Sequence, residues 1–224
     1  MSSPHALRCD YLINPLAVQG PTPRFSYELG EAASRQTAYQ IQATLGSFAS
    51  GAACTWDTGK VTSASSLHIE YAGAPLQSCQ SFEWRVRIWD ANDQPSAFSD
   101  PAHFAVGLLS HADWHAGWIQ PPESYRAPNA YYFRRLFKAD PLLKDARLYS
   151  TAKGIYHPLL NGHAVSDESF APGWTDYNQR ILYRCYDVTE QLKSGTNVLG
   201  ALLNPGWYSG PLAFHHRPFQ YVKE

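Results

Sequence analysis

Asp167, Glu168 and Asp176 cluster in the sequence beside Trp174 and Tyr177. Carboxyl groups next to aromatic rings are residue types that handle sugars, and they do so in one of two ways. Cleavage with inversion needs two carboxyls roughly 6.5–9.5 Å apart, one of them protonated, flanking a sugar pocket. Binding needs planar carboxamides and carboxylates that chelate hydroxyls, with an aromatic face against the C–H surface of the ring. Most of the 19 carboxylates have local work instead. Asp57, Asp90, Asp93 and Asp100 sit at turns or strand ends, where Asp hydrogen-bonds nearby backbone, and Asp187 precedes a cap. No catalytic pair is assigned. Asn161, Asp167, Trp174, Asp176, Asn204 and Trp207 are the candidates for carbohydrate contact, placed on loops and hairpins where sites usually lie. Each also has a plainer role. Asn161 suits its turn whatever the function, and Trp174 and Trp207 can anchor loops or pack one domain onto the next.

Other chemistries find no pattern. Nine histidines include His111, His115, His157, His163 and the pair His215-His216, but no HExxH or C2H2 spacing occurs, so no metal site is assigned. Cys9, Cys54, Cys79 and Cys185 form no CxxC pair and read as free thiols. Neither a phosphate-binding glycine loop nor a GxSxG elbow is present. Lys and Arg number 18 against 19 Asp and Glu, a net charge of −1 that gives no reason to bind nucleic acid or an anionic membrane. Arg134-Arg135 beside Tyr131 and Tyr132 therefore read as an exposed strand face. No run approaches about 18 apolar residues, which excludes a spanning helix. The first residues lack a signal-peptide core, so the chain reads as cytoplasmic.

The elements that must position these side chains are strands. Aromatics make up 14% of the 224 residues, with 15 Gly, 16 Pro and one Met, a composition of short strands and turns. Period-two alternation is clear at Tyr39, Ile41, Ala43 and Leu45, and at Leu67, Ile69 and Tyr71. It is clearest where Phe82, Trp84, Val86 and Ile88 alternate with Glu83, Arg85, Arg87 and Trp89. Turn clusters such as Gly20-Pro21-Thr22-Pro23 separate the runs, and the pattern over residues 1–107 predicts an immunoglobulin or fibronectin III-like sandwich. A linker is placed at 108–128, carrying Trp114, Trp118 and Ala127-Pro128. Residues 129–224 predict a second, jelly-roll (galactose-binding-like) sandwich of about six strands, short of the roughly eight that close a jelly roll. Asn161-Gly162 marks a hairpin within it. Residues 181–188 read as a strand, and 187–195 as one helical turn capped by Thr189, with Lys193 in its last turn and Gly195 ending it.

Several segments together resemble the opening of bacterial α-L-rhamnosidases of glycoside hydrolase family 78. They include Leu7-Arg8-Cys9-Asp10-Tyr11-Leu12 with Asn14-Pro15-Leu16, Gln36-Thr37-Ala38-Tyr39, and Trp56-Asp57-Thr58-Gly59-Lys60-Val61. Trp84-Arg85-Val86-Arg87-Ile88-Trp89-Asp90, Asp113-Trp114, Trp118-Ile119 and Leu160-Asn161-Gly162 continue the series. Ala171-Pro172-Gly173-Trp174-Thr175-Asp176-Tyr177 is the most specific block, followed by Tyr186-Asp187-Val188-Thr189 and Gly206-Trp207-Tyr208. The resemblance implies an immunoglobulin-like domain followed by the rhamnosidase N-terminal β-sandwich. That sandwich is similar to rhamnose-binding modules, some of which use calcium, so calcium enters only by resemblance and no other cofactor is expected. The family's catalytic unit is an (α/α)6 barrel that uses acidic residues in an inverting reaction, and none of it is expected in these residues. The tail from His215 departs from the family's continuation.

The expectation is therefore an all-β, non-catalytic region of an α-L-rhamnosidase, inactive alone. Its partners would be a rhamnose-containing glycoside and the downstream catalytic barrel. Two other readings stay open: a free-standing rhamnose-binding module, and a two-domain structural or adhesive protein without a small ligand.

Overall fold

The computed structural model describes residues 2–30, 35–122, 130–140, 143, 145–210 and 221. It divides into two compact units, Met1–Ala116 and Gly117–Glu224. His215 and His216, the tail they begin, and Ala127 and Pro128 of the expected linker lie outside the described residues. The architecture is all-β, as the sequence predicts, and no described helix is long and apolar enough to cross a membrane.

The first unit contains β1 (His5–Cys9), β2 (Arg24–Glu28), β3 (Ala38–Leu45), β4 (Trp56–Asp57), β5 (Val61–Thr62), β6 (Ile69–Glu70), β7 (Ser81–Trp89) and β8 (Ala102–Ala105). They form two antiparallel sheets, β1-β2-β6 and β4-β3-β7-β8, with β5 also on β3. β3 and β7 pair without interruption from Ala38↔Trp89 to Leu45↔Phe82. Residues 15–18 run beside β8, where Val18 makes a parallel bridge to Val106.

Alternation along β7 is realised. Phe82, Trp84, Val86 and Ile88 are buried and pack on Phe25, Ile41 and Phe104 of the core. Trp89, expected on the wet face, is buried as well, because Lys60 and Arg87 cover its ring at 5.1 and 5.0 Å. Arg87 also lies 4.8 Å from the Phe98 ring, and Arg85 sits 4.4 Å from both Phe98 and Phe48. Cations thus alternate with rings across the outer face, each contact contributing about 0.5–1 kcal/mol where solvent reaches. Gln40 and Gln42 join this row to Asp57 by side-chain hydrogen bonds of 2.7 and 2.8 Å.

The expected 67–71 strand shrinks to two residues. His68 takes a left-handed φ of 56°, which breaks the alternation and leaves Leu67 60% exposed while Ile69 and Tyr71 are buried.

The second unit contains β9 (Tyr131–Ala139), β10 (Arg147–Ser150), β11 (Ile155–Leu160), β12 (His163–Ala164), β13 (Arg184–Asp187) and β14 (Gly195–Asn204), then α1 (Gly206–Ser209). Four strands make one sheet in the order β12-β11-β14-β9, and β10-β13 make the other. The Asn161-Gly162 hairpin is present: both residues have positive φ, 53° and 87°, as a type I′ turn requires. The predicted 181–188 strand is limited to β13.

The helical turn differs in its caps. Thr189–Gln191 is a single 3-10 turn, Val188 holds the cap position, and no side chain caps it there. Thr189 Oγ1 instead accepts from the Ala146 N–H, while Asp187 accepts from the Thr189 N–H. Lys193 lies beyond the turn, where its N–H donates to Asn197. Gly195, at a φ of 84°, opens β14.

Leu160, Val165, Tyr186 and Val188 form the main buried cluster between the sheets, with Phe137, Leu148 and Leu192 against it. Asn197 is fully buried beside them. Its amide donates to the carbonyls of Lys193 and Gly195, and its oxygen accepts from the Lys193 N–H and from Asn161. Asn197→Ala strands these partners, each left unsatisfied at about 1–3 kcal/mol. The expected result is a lower urea midpoint for the transition of the second unit, with the first unit unaffected.

Asp187 is held below the usual carboxylate range by the N–H and hydroxyl of Thr189, against some burial and with help from Arg147. A depressed folded value means this stabilisation is present above the ordinary Asp range, near pH 4, and is lost as pH falls through the folded value. Asp187→Asn is therefore expected to lower the midpoint at neutral pH, and the gap from wild type should close in acid, as read by unfolding at stepped pH.

Candidate functional site

The candidate side chains of the second unit lie on two segments, the loop 166–183 and the chain around α1. The loop is fastened at its start by Glu168. Its carboxylate accepts from the Arg184 guanidinium at 2.6 Å and from the Tyr186 hydroxyl at 3.3 Å. Arg184 and Tyr186 share one face of β13 because they are two residues apart. The chain continues inward: the Tyr186 hydroxyl lies 3.4 Å from that of Tyr156, which meets Ser150 Oγ at 2.7 Å. Burial pushes the Tyr156 and Tyr186 hydroxyls above the ordinary tyrosine range, and for Tyr186 its contacts with Tyr156 and Glu168 push the same way. Both phenols stay protonated at neutral pH and act as hydrogen-bonding links.

Further along, the Tyr156 N–H donates to the Ala171 carbonyl at 2.9 Å, and Thr151 Oγ1 donates to the Leu182 carbonyl at 2.6 Å. Asp176 shapes the turn that follows. Its carboxylate accepts from the Asn178 N–H, and its carbonyl accepts from Gln179 and Arg180. Thr175 Oγ1 donates to the Arg180 carbonyl and closes the turn.

These fastenings bring three rings together at the surface. Trp174 is parallel to Trp207 within 3°, their centroids 6.1 Å apart, and Phe170 lies 6.0 Å from Trp207. Trp174 is 56% and Phe170 63% exposed, while Trp207 is half-buried. Gly206 sets the approach of Trp207. It adopts a φ of 49°, and a Cβ there would stand 2.7 Å from Ile155 Cγ1, so only glycine fits. Behind the turn, Tyr177 packs at 5.4 Å on Tyr208 and 5.0 Å on Tyr221, and Lys153 lies 5.4 Å from the Tyr208 ring.

Of the six residues singled out from sequence, Trp174 and Trp207 meet directly. Asp176 follows Trp174 on its turn and is exposed. Asn204 is exposed at the end of β14, just before the Pro205-Gly206 turn. Asp167 is exposed beside Glu168. Asn161 stands apart, just past the far end of β11 from Ile155 and so roughly 20 Å along the strand direction. Its carboxamide is committed internally, donating to the Gln191 carbonyl and Asn197 and accepting from the Val198 N–H.

Phe170 was not singled out from sequence, and its left-handed φ of 62° leaves no signature in residue type. The Glu168–Arg184–Tyr186 chain was missed too, although the two-residue spacing of Arg184 and Tyr186 signalled a shared face.

Asp57 carries the heaviest hydrogen bonding of the first unit's carboxylates described here. Burial raises its pKa, but the Gln40 and Gln42 amides, the Gly59 N–H and nearby Arg87 outweigh that and hold it low. Asp57 and Asp187 are thus shifted in the direction opposite to that of a general acid. Calcium takes six to eight oxygen ligands. Among the described residues no group of three His, Cys, Asp or Glu is placed to hold a metal ion.

Comparison with known proteins follows this two-part arrangement. Residues 4–110 match the family model described as the Rha78A-like N-terminal immunoglobulin domain. Residues 142–224 match the α-L-rhamnosidase N-terminal domain. The chain is similar to an α-L-rhamnosidase of Alteromonas sp. (strain LOR), 37% identical over 216 residues, covering 90% of this chain and 23% of that protein. Among solved structures, the α-L-rhamnosidase of Dictyoglumus thermophilum superimposes with a TM-score of 0.84 at 35% identity, covering 92% of this chain and 25% of that one. The Aspergillus terreus enzyme does so with 0.84 at 30% identity, covering 97% and 25%. The chain spans about a quarter of the length of these relatives.

Proposed function

We propose, because this chain belongs to the α-L-rhamnosidases through both of its domains, that it serves an enzyme which hydrolyses terminal non-reducing α-L-rhamnose from glycosides by inversion. The chain itself matches the N-terminal, non-catalytic region of that family. The observation that carries the reading is the succession of the two family matches, in order, across one chain. Asp57 and Asp187 are not candidates for the acid of an inverting pair. Inversion needs a carboxyl kept protonated near neutral pH, whereas Asp57 and Asp187 are held ionised by the donors around them.

Within that enzyme, the second domain contributes a carbohydrate contact at Trp174, Trp207 and Phe170. The exposed Trp174 and Phe170 rings, with Trp207 half-buried beside them, supply the apolar surface on which the C–H face of a pyranose rests. Asp176, Asn204 and Asp167 supply carboxylate and carboxamide oxygens around it. The substrate class is a rhamnose-containing glycoside, and the partner is the catalytic barrel. A free-standing binding module is the second reading, favoured by the exposure of Trp174.

Pure chain given an aryl α-L-rhamnoside is expected to release no aryl alcohol in a continuous absorbance assay, and robust turnover would sink the non-catalytic reading. Thermal unfolding in tens of millimolar L-rhamnose is expected to shift upward, with no shift in glucose. A folded-state ligand at a hundredfold excess over its dissociation constant adds about 2.7 kcal/mol. Trp174→Ala should abolish the shift while leaving the ligand-free midpoint nearly unchanged, since the ring is mostly exposed. A cooperative transition that rhamnose does not move would remove the carbohydrate contact and leave a brace.

A further inference from the structure

Two sheets of this chain turn a face away from their own cores, and the two faces are finished differently. On the first unit, the outer face of β3 and β7 carries Gln40, Gln42, Arg85 and Arg87, tied to one another, to Asp57 and to aromatic rings. Such a face is complete in water. On the second unit, the inward residues of the four-stranded sheet are fixed by Tyr156, Leu160, Phe137 and Asn197, which pack toward β10 and β13. Strand alternation and register then place Leu159 of β11, Val198 and Leu202 of β14, and Tyr132 and Leu136 of β9 on the opposite face.

That face is apolar at its centre. Gly200 lies between Leu159 and Arg134 in the register, where a Cβ would make ordinary contact with Leu159 and the Phe133 carbonyl, so the middle is flat. Tyr132 is 79% exposed and Leu136 52%. The same face also carries His157, Thr196 and Asn204 and the positive Arg134 and Lys138, and no Asp or Glu of the paired strands falls on it. An apolar centre with Tyr and Arg at hand is the composition of a protein–protein contact, not of a solvated sheet.

We propose that this outer face of β11, β14 and β9 is the surface on which the catalytic domain of the same enzyme docks, through an apolar patch bordered by carboxylates. The inference rests on the rhamnosidase reading for the identity of the partner. The single sign of charge selects this occupant over a second copy of the chain. A two-fold pairing of the face with itself would bring Arg134 and Lys138 toward their own counterparts with no acid on either side.

Leu136→Glu and Lys138→Glu test this in two settings: this chain alone, and the enzyme carrying this chain with its catalytic domain. In the chain alone, both variants should keep the thermal midpoint within a degree and sediment as monomer. In the enzyme, Leu136→Glu should lower the midpoint by several degrees and raise the rate of proteolysis between the domains several-fold. Lys138→Glu should do so more weakly, with an effect that fades in high salt. No change in the enzyme overturns the proposal. So does a fall in the chain alone, which would make Leu136 part of the domain's own stability. Self-association of the wild-type chain that Leu136→Glu abolishes overturns it in favour of a second copy. An enzyme that cleaves no rhamnoside yet loses stability on Leu136→Glu would defeat the activity reading and leave the docking surface standing.

Discussion

Among the described residues of the second domain a two-stranded sheet faces a four-stranded one, and it cannot bury the whole of that inner face by apolar contact. The domain's main cluster holds four buried side chains, Leu160, Val165, Tyr186 and Val188, whereas the first domain assembles a single large core around Trp84 and Phe25. The remaining space between the sheets is bridged by polar groups. Ser150, Tyr156, Tyr186, Glu168 and Arg184 form one hydrogen-bonded chain from β10, through β11 and β13, to the loop beyond. A partly buried network of this kind is costly unless every member is satisfied. Once satisfied, it fixes one arrangement, because each group has its partner in only one geometry. The aromatic surface at Phe170, Trp174 and Trp207 inherits its position from that chain.

Backbone conformation supplies the second half of the positioning. Asn161 and Gly162 are needed for the tight turn that returns β11 into β12, and the Asn161 side chain then reaches Asn197 across the sheet. One residue serves turn and core at once. At the other end of β11, Gly206 lets the chain pass so close to Ile155 that any side chain would collide. The two ends of one strand are thus set by residues chosen for φ and for size rather than for chemistry. The half-buried ring of Trp207 takes its position beside Trp174 from the glycine that precedes it.

The extent to which the sequence announced this differs between elements. β7 was legible because Phe82, Trp84, Val86 and Ile88 alternate over seven residues, and one buried face leaves no other register. The Asn161-Gly162 hairpin was legible because few dipeptides accept two positive φ values. Residues 67–71 misled, since one left-handed histidine undoes an alternation that residue types alone support. Thr189 misled similarly: its hydroxyl went to Ala146, forty-three positions earlier, and a contact at that distance leaves no local trace. Within the site, Trp174 and Trp207 were visible as types but not as a pair, because nothing in the sequence states that the loop folds back onto α1. Asn161 shows the converse. A carboxamide suited to hydroxyls was legible, and its commitment to Gln191, Asn197 and Val198 was not.

The outer faces of the two domains carry this logic one step further. A sheet with one face on a core has the other free, and evolution can complete it with solvent or with protein. Completion with solvent calls for polar groups that satisfy each other, because long side chains lose rotamer freedom when ordered and must regain it in contacts. Arg85 and Arg87, each set between aromatic rings and each bonded to a glutamine, meet that demand. Leu136, Val198, Leu202 and Leu159 cannot meet it, having nothing to offer water. Tyr132 stands among them with most of its ring exposed. The same chain therefore contains a worked example of a finished face and, by its own standard, an unfinished one. The difference lies in side-chain chemistry alone, since both sheets are antiparallel and both central strands pair along their full length.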